Sequence, residues 1–131
     1  EGCQAVLMVG ATTYLYDVEP GGGAYVYWPS SHHIAHRYFR QYPDRIEGTF
    51  RDTPEWDERG WSIFSDDGPE SPREFIARAG DLILWHGWLC HSGSTNVSAM
   101  PRVGFFARWI HEDDAGVRRC IPADPWHHWA I

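Results

Sequence analysis

The chain has 131 residues, enough for one domain or part of one with a real core. Its 43% hydrophobic and 22% charged residues exclude a disordered tail. A formal net charge of −7 without any basic stripe argues against nucleic acid as a partner, and no apolar run approaches the roughly 20 residues a membrane-spanning helix needs.

The first ten residues, EGCQAVLMVG, carry no basic start of a secretory leader. The first apolar run begins almost at Glu1, which reads as an N-terminal truncation of a longer protein. Ala5 to Val18 is β-branched and aromatic and predicts one long strand, or two joined near Gly10. Glu19-Pro20-Gly21-Gly22-Gly23 is a turn built of strong breakers. Ala24 to Trp28 predicts a short strand. Ser30 or Ser31 then caps a helix that presents Ile34, Tyr38 and Phe39 on one face and ends by Tyr42-Pro43.

Asp44 to Pro72 is polar, charged and broken by Pro and Gly. It predicts a long excursion with a short strand around Trp61 to Phe64, of the length that lids and binding loops have. Glu74 to Ala77 predicts a strand, followed by the Ala79-Gly80-Asp81 turn. Leu82 to His86 and Val103 to Ile110 are the clearest strands. His111 to Ile131 is irregular and ends in a Trp- and His-rich run suited to packing back on the domain. Cys3, Cys90 and Cys120 are odd in number and lack C-x-x-C spacing, which suggests reduced thiols in a cytoplasmic setting. Eight Trp, six Tyr and six Phe are enough aromatic surface to line a cavity as well as fill a core.

The stretch from Gly80 to Trp109 carries the chemistry. His91 and Arg102 lie eleven residues apart, each at the edge of an apolar strand-like run. A neutral imidazole is a good ligand for a transition metal, and a guanidinium can clamp a carboxylate through two parallel hydrogen bonds, which lysine cannot do. If Val103 and Phe105 face one side of a buried strand, Arg102 and Gly104 face the other, where the small glycine leaves room beside the arginine.

This segment resembles the C-terminal signature of the phytanoyl-CoA dioxygenase family of non-haem Fe(II)/2-oxoglutarate oxygenases. The matching residues are Gly80, Asp81, His86, His91, Ser92, Gly93, Ser94, Asn96, Ser98 and Arg102. A second block, Gly21 to His33, is similar to the family's N-G-x-(apolar)-x-P-G-S-H. The two blocks stand in the family's order and cover about a third of the chain, with a weaker likeness from about Val6 to Trp109. The resemblance implies that His91 is a metal ligand and that Arg102 binds the distal carboxylate of 2-oxoglutarate. It implies that Asn96 contributes to the cofactor site, or orders the turn that sets His91 against Arg102. There is one departure: the family often has a serine two residues after the histidine, and here that residue is Gly93, with Ser94 following. The family's serine contact to the cosubstrate is therefore not carried over to Ser94.

The family's other two ligands form an H-x-D motif, and no H-x-D or H-x-E occurs between Glu1 and Gly80. They are expected upstream of Glu1. His111-Glu112-Asp113 fits the motif by letter but lies after the arginine strand, out of family order. His32 and His36 stand one helical turn apart and could grip a metal, but the segment reads as solvent-facing, so surface histidines are the better reading. His127-His128 also reads as surface, and His86 as structural support. Nothing supports a Ser-His-Asp triad, a zinc finger or a phosphate-binding glycine loop.

The expected fold is all-β with a minor helix. It is a double-stranded β-helix (jelly roll, cupin-like barrel), incomplete at its N-terminus, forming one partial domain over residues 1–131 with the excursion at about 44–72. The expected activity is that of an Fe(II)/2-oxoglutarate-dependent dioxygenase hydroxylating a small-molecule C–H bond with O2. The fragment by itself is expected to be inactive. The alternative is a metal-free cupin-like binding module that lost the H-x-D motif. A zinc or manganese cupin isomerase would need a His/Glu cluster in the first strands, and none is present.

Overall fold

In the computed structural model, residues 4–5, 8–43, 70–110, 112, 119–126 and 129 are described. The predicted strand at Trp61 to Phe64, most of the excursion, His127-His128, His111 and Asp113 lie outside them. In chain order the elements are β1 (Gln4–Ala5), β2 (Met8–Tyr14), β3 (Tyr25–Tyr27), α1 (Ser31–Gln41), β4 (Arg73–Phe75), β5 (Leu82–His86), β6 (His91–Gly93), β7 (Gly104–Ile110) and β8 (Arg119–Cys120).

Two antiparallel three-stranded sheets carry the architecture, in the orders β5-β2-β7 and β4-β3-β6, and β1 pairs in parallel with β8. This is mostly β with one helix and is consistent with a jelly roll. The strands form where β-branched and aromatic residues alternate on a pleated surface. Glycine and proline end them: Gly21 and Gly23 take φ of 74° and 77° in the turn before β3, and Gly80 takes 87° before β5. A side chain at Gly23 would also meet Asn96 Cβ at 2.9 Å.

Strand alternation and register sort the side chains. In β5-β2-β7, Gly10 pairs with Trp85 and Arg108, and Thr12 with Ile83 and Phe106, so these share a face. In β4-β3-β6, Tyr25 pairs with Phe75 and Gly93, and Tyr27 with Arg73 and His91. The two faces meet: the core joins Tyr14, Val18, Ala24, Tyr25 and Trp85, with Tyr27, Phe75 and Ile83 packed against them. Trp85 lies flat over Gly10, where any side chain would overlap its ring, and its indole N–H donates to Thr12 Oγ1 at 3.1 Å. Tyr14 ties the sheets together. Its hydroxyl accepts from the Tyr25 N–H at 2.7 Å and donates to the Phe75 carbonyl at 3.2 Å.

The opposite face of β5-β2-β7 is apolar but open, with Leu82, Leu84, Phe105 and Trp109 all more than half exposed. This corrects the expectation of a buried strand after Arg102: Phe105 is 66% exposed. Most of β7 stays exposed, and on its inner side Phe106 meets the other sheet at Tyr25.

The helix also differs from expectation. Its buried stripe is Ser31, His32, Ala35, His36 and Phe39, not Ile34 and Tyr38. His32 and His36 are therefore not surface histidines; each is under 10% exposed. The reason is the C-terminal segment, which lays the Trp126 ring against His32 and sets the Pro122 carbonyl as acceptor for His36. Ser30 stands at the N-cap with φ of 60° and makes no side-chain cap bond. Ser31 spends its hydroxyl elsewhere, accepting from the Cys90 N–H at 2.9 Å.

Candidate functional site

The site is built where the two inner faces converge. His91 opens β6 opposite Tyr27, and alternation turns it inward. Its ring stacks on Tyr25 at 5.2 Å and leans on Trp85 at 4.4 Å between centroids. Two bonds just before the strand hold it there: Ser31 Oγ on the Cys90 N–H, and the Trp28 N–H on the Cys90 carbonyl at 3.0 Å. The helix start and the end of β3 thus brace the approach to His91.

The tautomer follows from the ring's only hydrogen bond among the described residues. Nδ1 lies 2.8 Å from the Leu89 carbonyl, which can only accept, so Nδ1 carries the proton. Nε2 keeps its lone pair. A histidine that donates one ring N–H to a backbone carbonyl and keeps the other nitrogen bare is oriented as a metal-binding histidine is.

Arg102 lies just before β7 and shares the inward side with Phe106, over whose ring its guanidinium sits at 5.6 Å. It approaches β6 at Gly93, where an added Cβ would lie 3.6 Å from Nη2. Its charge also acts on the Tyr14 phenol. Burial pushes that phenol above its ordinary value, while the Tyr25 hydrogen bond and Arg102 oppose the push. Nη1 is buried and has no hydrogen-bond partner among the described residues. Buried guanidinium donors are normally satisfied, and an orphaned one calls for an acceptor.

The room beside Arg102 is at Gly93, not at Gly104. A Cβ on Gly104 would press on the Tyr14 ring and on the Thr13 carbonyl at 3.2 Å each, so that glycine serves packing. Gly93, the position that departs from the family pattern, leaves the space next to the guanidinium. Ser94 Oγ is buried and likewise lacks a partner among the described residues.

Asn96 is exposed and works within the loop from β6 to β7. Its amide donates to the Met100 carbonyl at 2.8 Å, and its oxygen accepts from the Ser98 N–H at 2.9 Å and the Ser98 hydroxyl at 2.8 Å. Its backbone bridges to Gly22. These bonds fix the loop that carries the chain from His91 to Arg102.

His86 faces away from His91, towards the tail. Its Nε2 donates to the Pro125 carbonyl at 2.9 Å and its Nδ1 accepts from the Trp88 N–H at 3.1 Å, so both nitrogens are occupied in support. His32, His33 and His36 join it in an aromatic cluster with Trp88, Trp126 and Trp129. Among the described residues no group of three or more His, Cys, Asp or Glu is arranged to hold a metal.

Sequence reasoning missed Tyr25. It is 1% exposed, stacks on His91, and has a buried hydroxyl without a partner among the described residues. The signal was available in the alternation of Tyr25 and Tyr27 within the second block, but an aromatic in a strand reads first as core. Arg108 was also passed over, and its guanidinium stands over the Trp85 ring at 5.8 Å.

A family model described as phytanoyl-CoA dioxygenase (PhyH) matches residues 3–104, which takes in both sheets up to the start of β7. No curated protein matches the chain, and no solved structure does.

Proposed function

The chain belongs to the phytanoyl-CoA dioxygenase family, whose members are Fe(II)/2-oxoglutarate oxygenases, and on that premise we propose that it hydroxylates a C–H bond of a small molecule. His91 is one iron ligand through Nε2, and Arg102 anchors the distal carboxylate of 2-oxoglutarate. The observation that carries this reading is one juxtaposition. A histidine with a bare, inward nitrogen and an arginine with a buried, unpaired donor lie on facing inner surfaces of the two sheets.

His91 and Arg102 each suit the group assigned to them. Leu89 holds the His91 tautomer that can coordinate, and the aromatic rings of Tyr25 and Trp85 fix its direction. One ligand does not make a facial triad, and the other two are not assembled among the described residues. Arg102 offers a fork beside the bare Gly93, which a carboxylate can enter. Bound iron and 2-oxoglutarate together supply oxygen activation, by which substrate, cosubstrate and O2 yield hydroxylated product, succinate and CO2. The chain's own part is to orient and to exclude water. Tyr25, Trp85 and Phe106 wall the space between His91 and Arg102 with apolar surface. Asn96 contributes through the loop it orders, keeping the two functional residues in register.

The test is Fe(II)-dependent conversion of 2-oxoglutarate to succinate by the full-length protein. His91→Ala should abolish it; turnover at the wild-type rate in that variant would overturn the assignment. Binding of 2-oxoglutarate that persists without any metal requirement would favour a metal-free module instead.

A further inference from the structure

Arg102 is not the only guanidinium on the inner face. Residues 102, 106 and 108 share one side of the β7 line: Arg102 and Phe106 are in contact, and Arg108 stands over Trp85 in the inner-face row of Gly10. At about 3.3 Å per residue, their backbone positions are roughly 20 Å apart, and their guanidinium groups stand over different rings, Arg102 over Phe106 and Arg108 over Trp85. His91 lies between them. Its ring rests on Trp85, the ring beneath Arg108, while Gly93, two residues further along β6, adjoins Arg102. A cosubstrate carboxylate held by Arg102 beside Gly93 engages the first of these guanidiniums, which leaves Arg108, over a different ring, to a different anion.

The surroundings of Arg108 describe that anion. Arg108 is exposed and makes no ion pair with any described residue. Trp85, Tyr25 and Phe106 form an apolar wall below it, and Phe106 is 52% exposed although it faces inward, so this part of the space is open. The Tyr25 hydroxyl is buried and lacks a partner among the described residues. The Tyr25 ring stacks on Trp85, the ring over which Arg108 stands, at 6.1 Å between centroids, and the Arg108 charge opposes the rise that burial gives the phenol's pKa. A guanidinium over an indole is by itself a common packing motif. An orphaned buried hydroxyl within its reach is not explained by packing.

We propose that Arg108, with the Tyr25 hydroxyl, is the substrate-recognition end of the site and selects a substrate that joins a carboxylate to an apolar body. This rests on the reading of His91 and Arg102 as the iron and cosubstrate positions. The substrate lies on the far side of His91 from the cosubstrate, its carboxylate at Arg108 and its apolar body against Trp85 and Phe106, which brings a C–H bond towards His91.

Benzoate, with benzamide as its neutral isostere, is the probe. Each is titrated into protein saturated with 2-oxoglutarate, following the Trp85 indole N–H resonance, assigned by its loss in Trp85→Phe. Benzoate should shift that resonance saturably and benzamide at least tenfold more weakly. Arg108→Gln should weaken benzoate at least tenfold, Arg108→Lys should restore part of the loss, and Tyr25→Phe should weaken it severalfold. Arg102→Gln should leave benzoate binding unchanged. Benzoate binding that is absent, equalled by benzamide, indifferent to Arg108→Gln or lost in Arg102→Gln would overturn the proposal. The 2-oxoglutarate titration is read separately in Arg102→Gln. If Arg102 does not matter there, the cosubstrate reading fails while the benzoate arm still decides Arg108.

Discussion

Arg102 keeps a buried donor unpaired, and such a group costs about 1–3 kcal/mol until an acceptor meets it. Cosubstrate binding recovers that cost and adds a charge-assisted fork. Arg102→Gln should therefore raise the 2-oxoglutarate requirement by roughly one to three orders of magnitude, at about 1.4 kcal/mol per tenfold. Calorimetric titration checks this, and an unchanged affinity would exclude the role. Gly93 gives a second handle. A Cβ there would make ordinary contact with Nη2 at 3.6 Å, so Gly93→Ser should keep 2-oxoglutarate binding within a few fold of wild type. Gly93→Leu must displace the guanidinium and should weaken binding at least tenfold, while the melting temperature changes little because β6 is exposed at this position. Equal affinity in the two variants would show that the space at Gly93 is not the cosubstrate's.

Among the elements, β2 is the central strand of its sheet, and its Gly10 is the point on which the inner face turns. Trp85 fills the place a side chain would take, and from there it supports both His91 and the bond to Thr12. Gly10→Ala must lift the indole, break a buried hydrogen bond and disturb the Tyr25–His91 stack. It should cost about 2–3 kcal/mol of stability, measured by denaturant unfolding. A loss below about 0.5 kcal/mol would mean that Trp85 moves aside freely, and that His91 is not held by it. The sequence did show an interruption at Gly10, as a possible break between two strands. The strand runs through it unbroken, because the glycine answers a tryptophan 75 residues away in the chain and not a local turn.

At the scale of the molecule, the C-terminal segment is clasped by histidines. His36 donates to the Pro122 carbonyl at 2.7 Å, His86 to Pro125, and Arg40 to Ala123 at 3.1 Å, while His32 is buried against Trp126 without a hydrogen bond among the described residues. Burial, with the neighbouring His33, His86 and His36, pushes His32 down to about 4 from its ordinary 6.5. His86 is also pushed down, by burial first. Between those two pH values the unfolded chain binds a proton that the folded His32 refuses. The stability that depends on the neutral ring is whole above about pH 6.5 and is lost as pH falls towards 4. The melting temperature should drop by roughly 5 °C or more from pH 7 to pH 4.5, with exposure of Trp126 and Trp129 seen in fluorescence. His32→Phe should flatten that dependence. An equally steep profile in the variant would place the sensitivity elsewhere.

What was legible in the sequence was local. Alternation and breakers marked β2, β3, β5, β7 and the α1 span to within a few residues, because the pleat and the glycine turns are set by neighbouring residues. His91 and Arg102 stood out because a short loop joins them, and the Asn96 hydrogen bonds that order this loop are made within it. Everything that needed distant chain to meet was decided only in three dimensions. His32 and His36 look like solvent-facing histidines until a segment some 90 residues later covers them. Gly104 looks like room for a ligand until the Tyr14 ring occupies it, and Phe105 looks like core until its side of the sheet is left open. Tyr25 and Arg108 read as ordinary strand residues. They become candidates for chemistry because the facing of two sheets leaves a buried hydroxyl unpaired and sets a guanidinium on the ring that supports His91. Periodicity fixes which way a side chain points, but burial and pairing depend on what the rest of the chain brings to meet it.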